Sequence, residues 1–162
     1  MGVDISTQLE VLRGGQWQLA RLSAAELSDD SPDALSFPLN WRHRDMFSFL
    51  CCGINYQTNV PQILAEDRGL PLDSVCLNSE KYPGCTYREW EMEDGNNYGF
   101  SWLTLAELLA FDYEQPCGPT VEARRFPDAT MRDFLGEAFF NHLGRMKEYG
   151  IPSEVRLIFY FN

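Results

Sequence analysis

The segment Val155–Phe161 constrains the fold of this chain more than any other feature. Its odd-numbered residues are all apolar, and Ile158 and Tyr160 add apolar surface at the even-numbered positions. Because successive side chains of a strand point to opposite faces, both faces of such a strand need cover. A strand that is apolar on both faces is most stable in the middle of a sheet. We therefore expect a central strand here, beside the N-terminal strand, with a long helix across one face.

The beginning of the chain predicts a β-hairpin. Apolar or β-favouring residues alternate with polar ones over residues 3–11, which is typical of a half-buried strand. Gly14 and Gly15 then supply the positive φ angles that a tight hairpin turn requires. The alternation resumes at Trp17, and the second strand is expected to end near Leu22.

Three helices are predicted from their start and stop signals. A short buried helix has Asp45 at or near its N-cap and stops at Gly53. A capping box precedes a helix of about two turns over residues 105–112. A third start signal at Thr130 opens a long amphipathic helix over residues 131–149, whose apolar positions recur at threes and fours.

Residues 54–100 contain several prolines and glycines and show no helix or strand period. Loops longer than about 12–15 residues are uncommon in compact domains unless they are functional. The fold class predicted for residues 1–162 is therefore a single α+β domain with a long irregular segment. Its small antiparallel sheet combines the N-terminal hairpin with the C-terminal strand, and the long C-terminal helix and shorter helices pack on it. Functional residues are expected in the irregular segment.

The charge of the chain limits its partners. Lys and Arg number 13 against 24 Asp and Glu, which gives a formal charge of −11. Such a surface repels phosphate backbones, so direct nucleic-acid binding is not expected. No stretch approaches the ~20 apolar residues of a membrane-spanning helix, and the N-terminus lacks a secretion signal. These features predict a cytoplasmic protein without membrane attachment.

Metal and cofactor chemistry has little support in the sequence. The five cysteines include no C-x-x-C pair, so ordinary reduced cysteines are the preferred interpretation. A weak mixed site of Cys76 and Cys85 with His43 or His142 stays open, because four N or S ligands suffice for zinc. The motifs of phosphate loops, nucleophile elbows and zinc hydrolases are absent. No cofactor and no catalytic residue are therefore assigned.

A candidate protein interface lies in the segment 80–100, where carboxylates interleave with aromatic rings. Aromatic anchors inside a charged rim concentrate binding energy at interfaces. Carboxylates that complement a basic surface add speed and specificity. The competing interpretation is a solvated acidic loop whose rings fold onto the core. The candidate interface residues are Glu80, Tyr82, Tyr87, Glu89, Trp90, Glu91, Glu93, Asp94 and Tyr98.

A second group of residues supports two alternative functions, binding of a small polar ligand and hydrolysis. A carboxylate and a guanidinium brought together across a cleft bind small polar ligands such as nucleotides. A histidine beside a carboxylate supports general acid–base work in a divergent hydrolase centred on Asp4, His43 and Asp45. A polar lead-in to the short helix is the competing structural interpretation. The residues of this alternative site are Asp4, Arg42, His43, Arg44, Asp45, Asp67 and Arg68.

Four fragments of the chain are distinctive when taken together and in order. They are Met1-Gly2-Val3-Asp4-Ile5, Arg68-Gly69-Leu70-Pro71, Ser101-Trp102-Leu103-Thr104-Leu105 and Val155-Arg156-Leu157-Ile158-Phe159-Tyr160-Phe161. In these fragments the chain resembles a family of small uncharacterised proteins encoded by bacteriophages, prophages and some bacteria. The resemblance implies an accessory protein of phage or mobile-element origin, in the cytoplasm of a bacterial host.

The chain departs from that family at two histidine positions. Members carry His after the Asp-Ile pair, where this chain has Ser6, and His within an Asp-Gly stretch, where this chain has residues 94–97. Both losses weaken an enzymatic role and favour binding. The expected function is inhibition of a bacterial defence system, anti-CRISPR-like or other, by binding a host or defence-system protein with a basic surface. A nucleotide-like ligand and a divergent hydrolase stay as alternatives, and the oligomeric state stays open.

Overall fold

A computed structural model of the chain describes residues 3–20, 38–39, 43–50, 60–74, 95–118 and 128–162. Its fold is α+β, as predicted. The elements, in chain order, are β1 (Ile5–Arg13), β2 (Gln16–Leu19), α1 (Arg44–Leu50), β3 (Tyr98–Thr104), α2 (Leu105–Ala110), α3 (Met131–Met146), two 3₁₀ turns (Lys147–Tyr149 and Pro152–Glu154) and β4 (Val155–Phe161).

The four strands form one antiparallel sheet in the order β2-β1-β4-β3. β4 is central and buried along its whole length, which confirms the prediction from its two apolar faces. β3 was not predicted, because it begins inside the stretch read as irregular. Gly99 has a φ of 65° and the register shifts between Tyr98 and Ser101. This irregularity disrupts the two-residue alternation that would have identified the strand.

The N-terminal hairpin is confirmed. Gly14 and Gly15 have φ angles of 59° and 78°, the left-handed conformation that two-residue hairpin turns use. β2 is shorter than predicted and ends at Leu19. Residues 21 and 22, where the second strand is expected to end, lie outside the described residues.

The core face of the sheet, which carries the odd-numbered residues of β1 and β4, packs against the helices. Between the helices lies a cluster of aromatic rings whose neighbouring centroids are 4.9 to 5.9 Å apart. Edge-to-face arrangements dominate this cluster, which is the geometry that ring quadrupoles favour. Its members are Phe49, Phe111, Tyr113, Phe139 and Phe140.

The two capped helices begin where the sequence predicts. Thr104 with Glu107, and Thr130 with Asp133, form complete capping boxes at the starts of α2 and α3. α3 differs from the expected unbroken helix, because Gly136 has φ 79° and ψ 169° and divides it into two helical segments. None of the described helices is long and apolar enough to cross a bilayer.

Residues 60–74, here called the wrapping segment, pass from the core face around the edge of β3 to the second face of the sheet. Val60 and Leu64 lie in the main core. Arg68 reaches the β3 edge, where its backbone N–H donates to Ser101 Oγ at 3.1 Å. Leu70 then packs against the stacked rings of Phe100 and Tyr160 on the second face. The segment contains no helix or strand, as predicted for this stretch.

Candidate functional site

A buried ion pair lies on the second face of the sheet, the face of β4 that carries Arg156, Ile158 and Tyr160. Arg156 stands opposite Glu10 in the β1–β4 register. Its Nη2 lies 2.7 Å from Glu10 Oε2, and the two side chains are only 3% and 0% exposed. Burial removes both charges from water at a cost that only close pairing and further hydrogen bonds offset.

The wrapping segment contributes further polar partners to both members of this pair. Asp73 accepts a hydrogen bond of 2.9 Å from Arg156 Nη1, although its own side chain is 65% exposed. Ser74 Oγ and Gln8 Nε2 each donate to Glu10 Oε1 at 2.9 Å. The turn at residues 71–74 is therefore tied to the two central strands through buried polar groups.

Two tryptophan rings flank the guanidinium. The Arg156 Cζ atom lies 3.9 Å from the ring centroid of Trp17 on β2 and 5.9 Å from that of Trp102 on β3. Such cation–π contacts are stronger where water is excluded. Arg156, Glu10, Asp73 and Trp17 were not among the predicted site residues. The available signal was an arginine inside an otherwise apolar central strand, because such a residue needs a buried counter-charge.

Arg68, a member of the alternative ligand site, is engaged with Glu107. Its two terminal nitrogens bind the two carboxylate oxygens at 3.0 and 2.5 Å, and Nη1 also donates to the Trp102 carbonyl at 3.2 Å. The hydrogen bonds from Arg68 hold the pKa of Glu107 below its usual value. Arg68 therefore clamps the wrapping segment to the start of α2, and its neighbour Asp67 is exposed.

His43 caps α1. Its Nδ1 accepts a hydrogen bond of 3.1 Å from the Met46 amide, and its carbonyl accepts from Phe47 N at 3.0 Å. Asp45, expected at or near the N-cap, lies in the first turn of the helix, and the imidazole two residues earlier accepts from a free amide of that turn. Burial lowers the pKa of His43, which keeps Nδ1 free to accept. The structural interpretation of His43 accounts for these contacts.

The remaining members of the alternative site are placed only in part. Asp4 is exposed just before β1, and its backbone pairs with Asn162 at 2.9 and 3.2 Å. Arg42 lies outside the described residues, as do the side chains of Arg44 and Asp45.

Tyr98 is the one predicted interface residue within the described ranges. It opens β3, is 41% exposed, and its ring centroid lies 6.2 Å from that of Phe161. Phe161 pairs with Tyr98 on one side and with Ile5 on the other, so the starts of β1 and β3 lie at the same end of the sheet. The predicted interface residues from 80 to 94 lie outside the described residues.

In the part of the chain that the structure describes, no three His, Cys, Asp or Glu residues are arranged to hold a metal ion. The weak mixed site requires Cys76 and Cys85, which lie outside that part. His142 is buried on α3, and its Nδ1 accepts from the Leu39 amide at 3.0 Å. His142 therefore has a structural role in the core.

Comparison with known proteins adds no relative. The sequence matches no model of a known protein family, no curated protein and no solved structure. The fold and the Glu10–Arg156 ion pair define an α+β protein whose central strand carries a buried arginine.

Proposed function

We propose that this chain is a phage-derived binding protein that inhibits a bacterial defence system by occupying a basic surface on one of its proteins. The observation that carries the proposal is the arrangement of charge. The described arginines with the closest carboxylate partners are Arg68, Arg132 and Arg156. Their positive charge is met within the molecule, and the described surface exposes carboxylates such as Asp67, Glu137 and Glu148, in keeping with the excess of 24 acidic over 13 basic residues.

The same ion pairs weigh against the alternative of a nucleotide-like ligand. A phosphate at Arg68 would have to displace a bidentate carboxylate, and Arg156 is almost fully buried against Glu10. Binding of an anion is therefore opposed by both local contacts and net charge. Binding of a basic protein surface is opposed by neither.

Tyr98 supports the interface proposed from the sequence. An aromatic ring exposed at the start of a strand, next to the acidic and aromatic stretch at 80–94, has the composition of an interface anchor. Its place on the sheet holds its backbone in register with β4. A partner would therefore meet a ring whose position is set before binding.

A phage-challenge assay tests the proposal. A bacterial strain whose nucleic-acid-guided effector targets a plaque-forming phage would express the chain, and plaque counts would be compared with an empty-vector strain. We expect the wild type to restore plaque formation. The triple variant Glu89→Lys, Glu91→Lys and Glu93→Lys should lose this effect, because it reverses the charge that meets the basic partner.

The matched control reverses the charge at three exposed acidic residues outside the predicted interface. Its substitutions are Asp128→Lys, Glu137→Lys and Glu148→Lys. It makes the same change in net charge and should keep the wild-type activity. Equal loss in both triple variants would show that net charge alone matters. No restoration by the wild type across strains with different defence systems would refute the proposed function.

A further inference from the structure

The two edges of the sheet differ in whether another segment covers them. At the β3 edge, the wrapping segment crosses the strand and Arg68 donates to the Trp102 carbonyl. At the other edge, no described residue pairs with the outer side of β2. Natural edge strands are blunted by shortness, lysine, proline, bulges or a covering segment, because a bare edge recruits further strands. β2 is short, with four residues, but its sequence Gln-Trp-Gln-Leu contains neither lysine nor proline.

The register identifies which backbone groups face outward. Arg13 pairs with Gln16 across the tight turn and Val11 pairs with Gln18, while Ala20 N–H donates to the Leu9 carbonyl at 3.0 Å. Hydrogen-bonded and non-hydrogen-bonded pairs alternate in an antiparallel ladder.

The intervening residues Trp17 and Leu19 therefore direct their N–H and C=O groups away from β1. Their side chains lie on the second face, because Leu19 stands opposite Glu10 and Trp17 opposite Leu12. Leu19 is 52% exposed. The outer edge of β2 thus offers two N–H and two C=O groups beside an apolar side chain, which is the pattern used in strand addition.

The net charge of the molecule indicates which kind of strand would bind at the outer edge of β2. A second copy of the chain would bring two bodies of −11 together. On the second face, the surface near this edge also carries the exposed Asp73, held at the buried Arg156 that stacks on Trp17. An incoming strand that places an apolar side chain beside Leu19 and a basic side chain two positions away, both on the second face, fits both features.

We infer that the outer edge of β2 accepts an extended segment of a partner protein that carries apolar and basic side chains together on one face, at every second position. This inference rests on the proposed function and specifies how the partner is held. Main-chain hydrogen bonds supply the affinity and the apolar contact at Leu19 sets the register.

The experiment pans the full-length chain against a phage-displayed library of random peptides, then measures binding of the enriched peptides by calorimetry. We expect peptides in which apolar and basic residues occupy positions two apart and so share one face of the added strand. Leu19→Pro removes one outward N–H without touching the ladder to β1, because proline is tolerated at the outer side of an edge strand. It should weaken binding by about tenfold relative to Leu19→Thr, which removes the leucine side chain but keeps the N–H.

A second measurement leaves the protein unchanged. N-methylation of successive peptide backbone positions should abolish binding at every second position only, because alternate N–H groups of an added strand face β2. No enrichment, equal binding to Leu19→Pro and Leu19→Thr, uniform tolerance of N-methylation, or self-association through β2 at neutral pH would each overturn the inference. If Leu19→Pro retains phage protection while the Glu89, Glu91 and Glu93 reversal loses it, the proposed function stands and the inference fails.

Discussion

Glu10 and Arg156 are the residues whose burial conflicts most with their chemistry. Both are charged, both lie on central strands, and both are nearly inaccessible to water. Their desolvation is offset by direct pairing and by hydrogen bonds from Gln8 and Ser74. The pair also ties the wrapping segment to the sheet, because Ser74 and Asp73 belong to that segment. We interpret it as the contact that fixes the path of residues 70–74.

Removal of one partner of this buried ion pair should lower the free energy of unfolding. Glu10→Gln keeps the size of the side chain but leaves Arg156 with Asp73 alone, so we expect a loss of about 3 kcal/mol in the free energy of unfolding. Urea denaturation measures it. Glu114→Gln removes the partner of Arg132 in an exposed ion pair and should cost less than about 1 kcal/mol. Equal costs would mean that burial does not set the energy of the Glu10–Arg156 pair.

His43 should make stability depend on pH. Burial lowers the pKa of His43 in the folded chain below its ordinary value of 6.5. The unfolded chain therefore binds more protons as the pH falls below 6.5. This contribution to stability is complete above that pH and is lost progressively as the pH falls toward the folded-state pKa. The loss has a structural cause, since a protonated Nδ1 no longer accepts from Met46.

His43→Ser supplies the control, because serine caps the helix but does not titrate in this range. The measurement is the difference in unfolding free energy between about pH 7.5 and about pH 5.5, for the wild type and the variant. The wild type should lose more stability than His43→Ser over this interval. An identical pH dependence in the two proteins would show that His43 titrates alike in the folded and unfolded chains.

At the scale of elements, α3 buries the apolar residues that its sequence pattern predicts, but one residue interrupts its helical backbone. The seam of Met131, Phe134, Leu135, Phe139 and Leu143 is buried as expected. Gly136 nevertheless adopts φ 79° and ψ 169°, a conformation that is open essentially to glycine alone. The bend follows from tertiary packing, since the local pattern also fits a continuous helix.

Substitutions at two glycines of α3 should have opposite effects. Gly136→Ala should destabilise the protein by about 1–3 kcal/mol, because alanine is strained at this φ although a Cβ there has open space. Gly144→Ala should stabilise it by about 0.5–1 kcal/mol, because that glycine has no positive φ and its Cβ also has open space. Thermal unfolding of both variants checks the signs. Stabilisation by Gly136→Ala would show that a straight α3 is the lower-energy form.

The elements that sequence patterns predicted are those whose signals are local. The hairpin turn needs two adjacent glycines, and each capping box needs residues three positions apart. β3 was missed because Gly99 and the register shift interrupt its alternation. Asp45 lies near the N-cap of α1, as expected, but the imidazole of His43 makes the capping hydrogen bond, and histidine is not among the residue types preferred at that position.

At the scale of the whole molecule, net charge should govern association. The sequence pI is about 4.5, so the charge that separates copies at neutral pH vanishes as the pH approaches this value. We expect a solubility minimum near pH 4.5 and reversible association as it is approached, measured by light scattering at low ionic strength. Added salt at neutral pH should produce a weaker form of the same effect. Unchanged scattering between neutral pH and the pI would contradict this role of charge.

The sequence by itself determined the features that depend on neighbouring residues: the hairpin, the capped helices, the central position of β4 and the acidic exterior. Tertiary structure decided the features that join residues far apart in the chain. Arg156 meets Glu10 across 146 positions and Asp73 across 83, and Arg68 meets Glu107 across 39. The physical reason is that periodicity and capping are short-range, whereas the partner of a buried charge is selected by which strands and segments pack beside it.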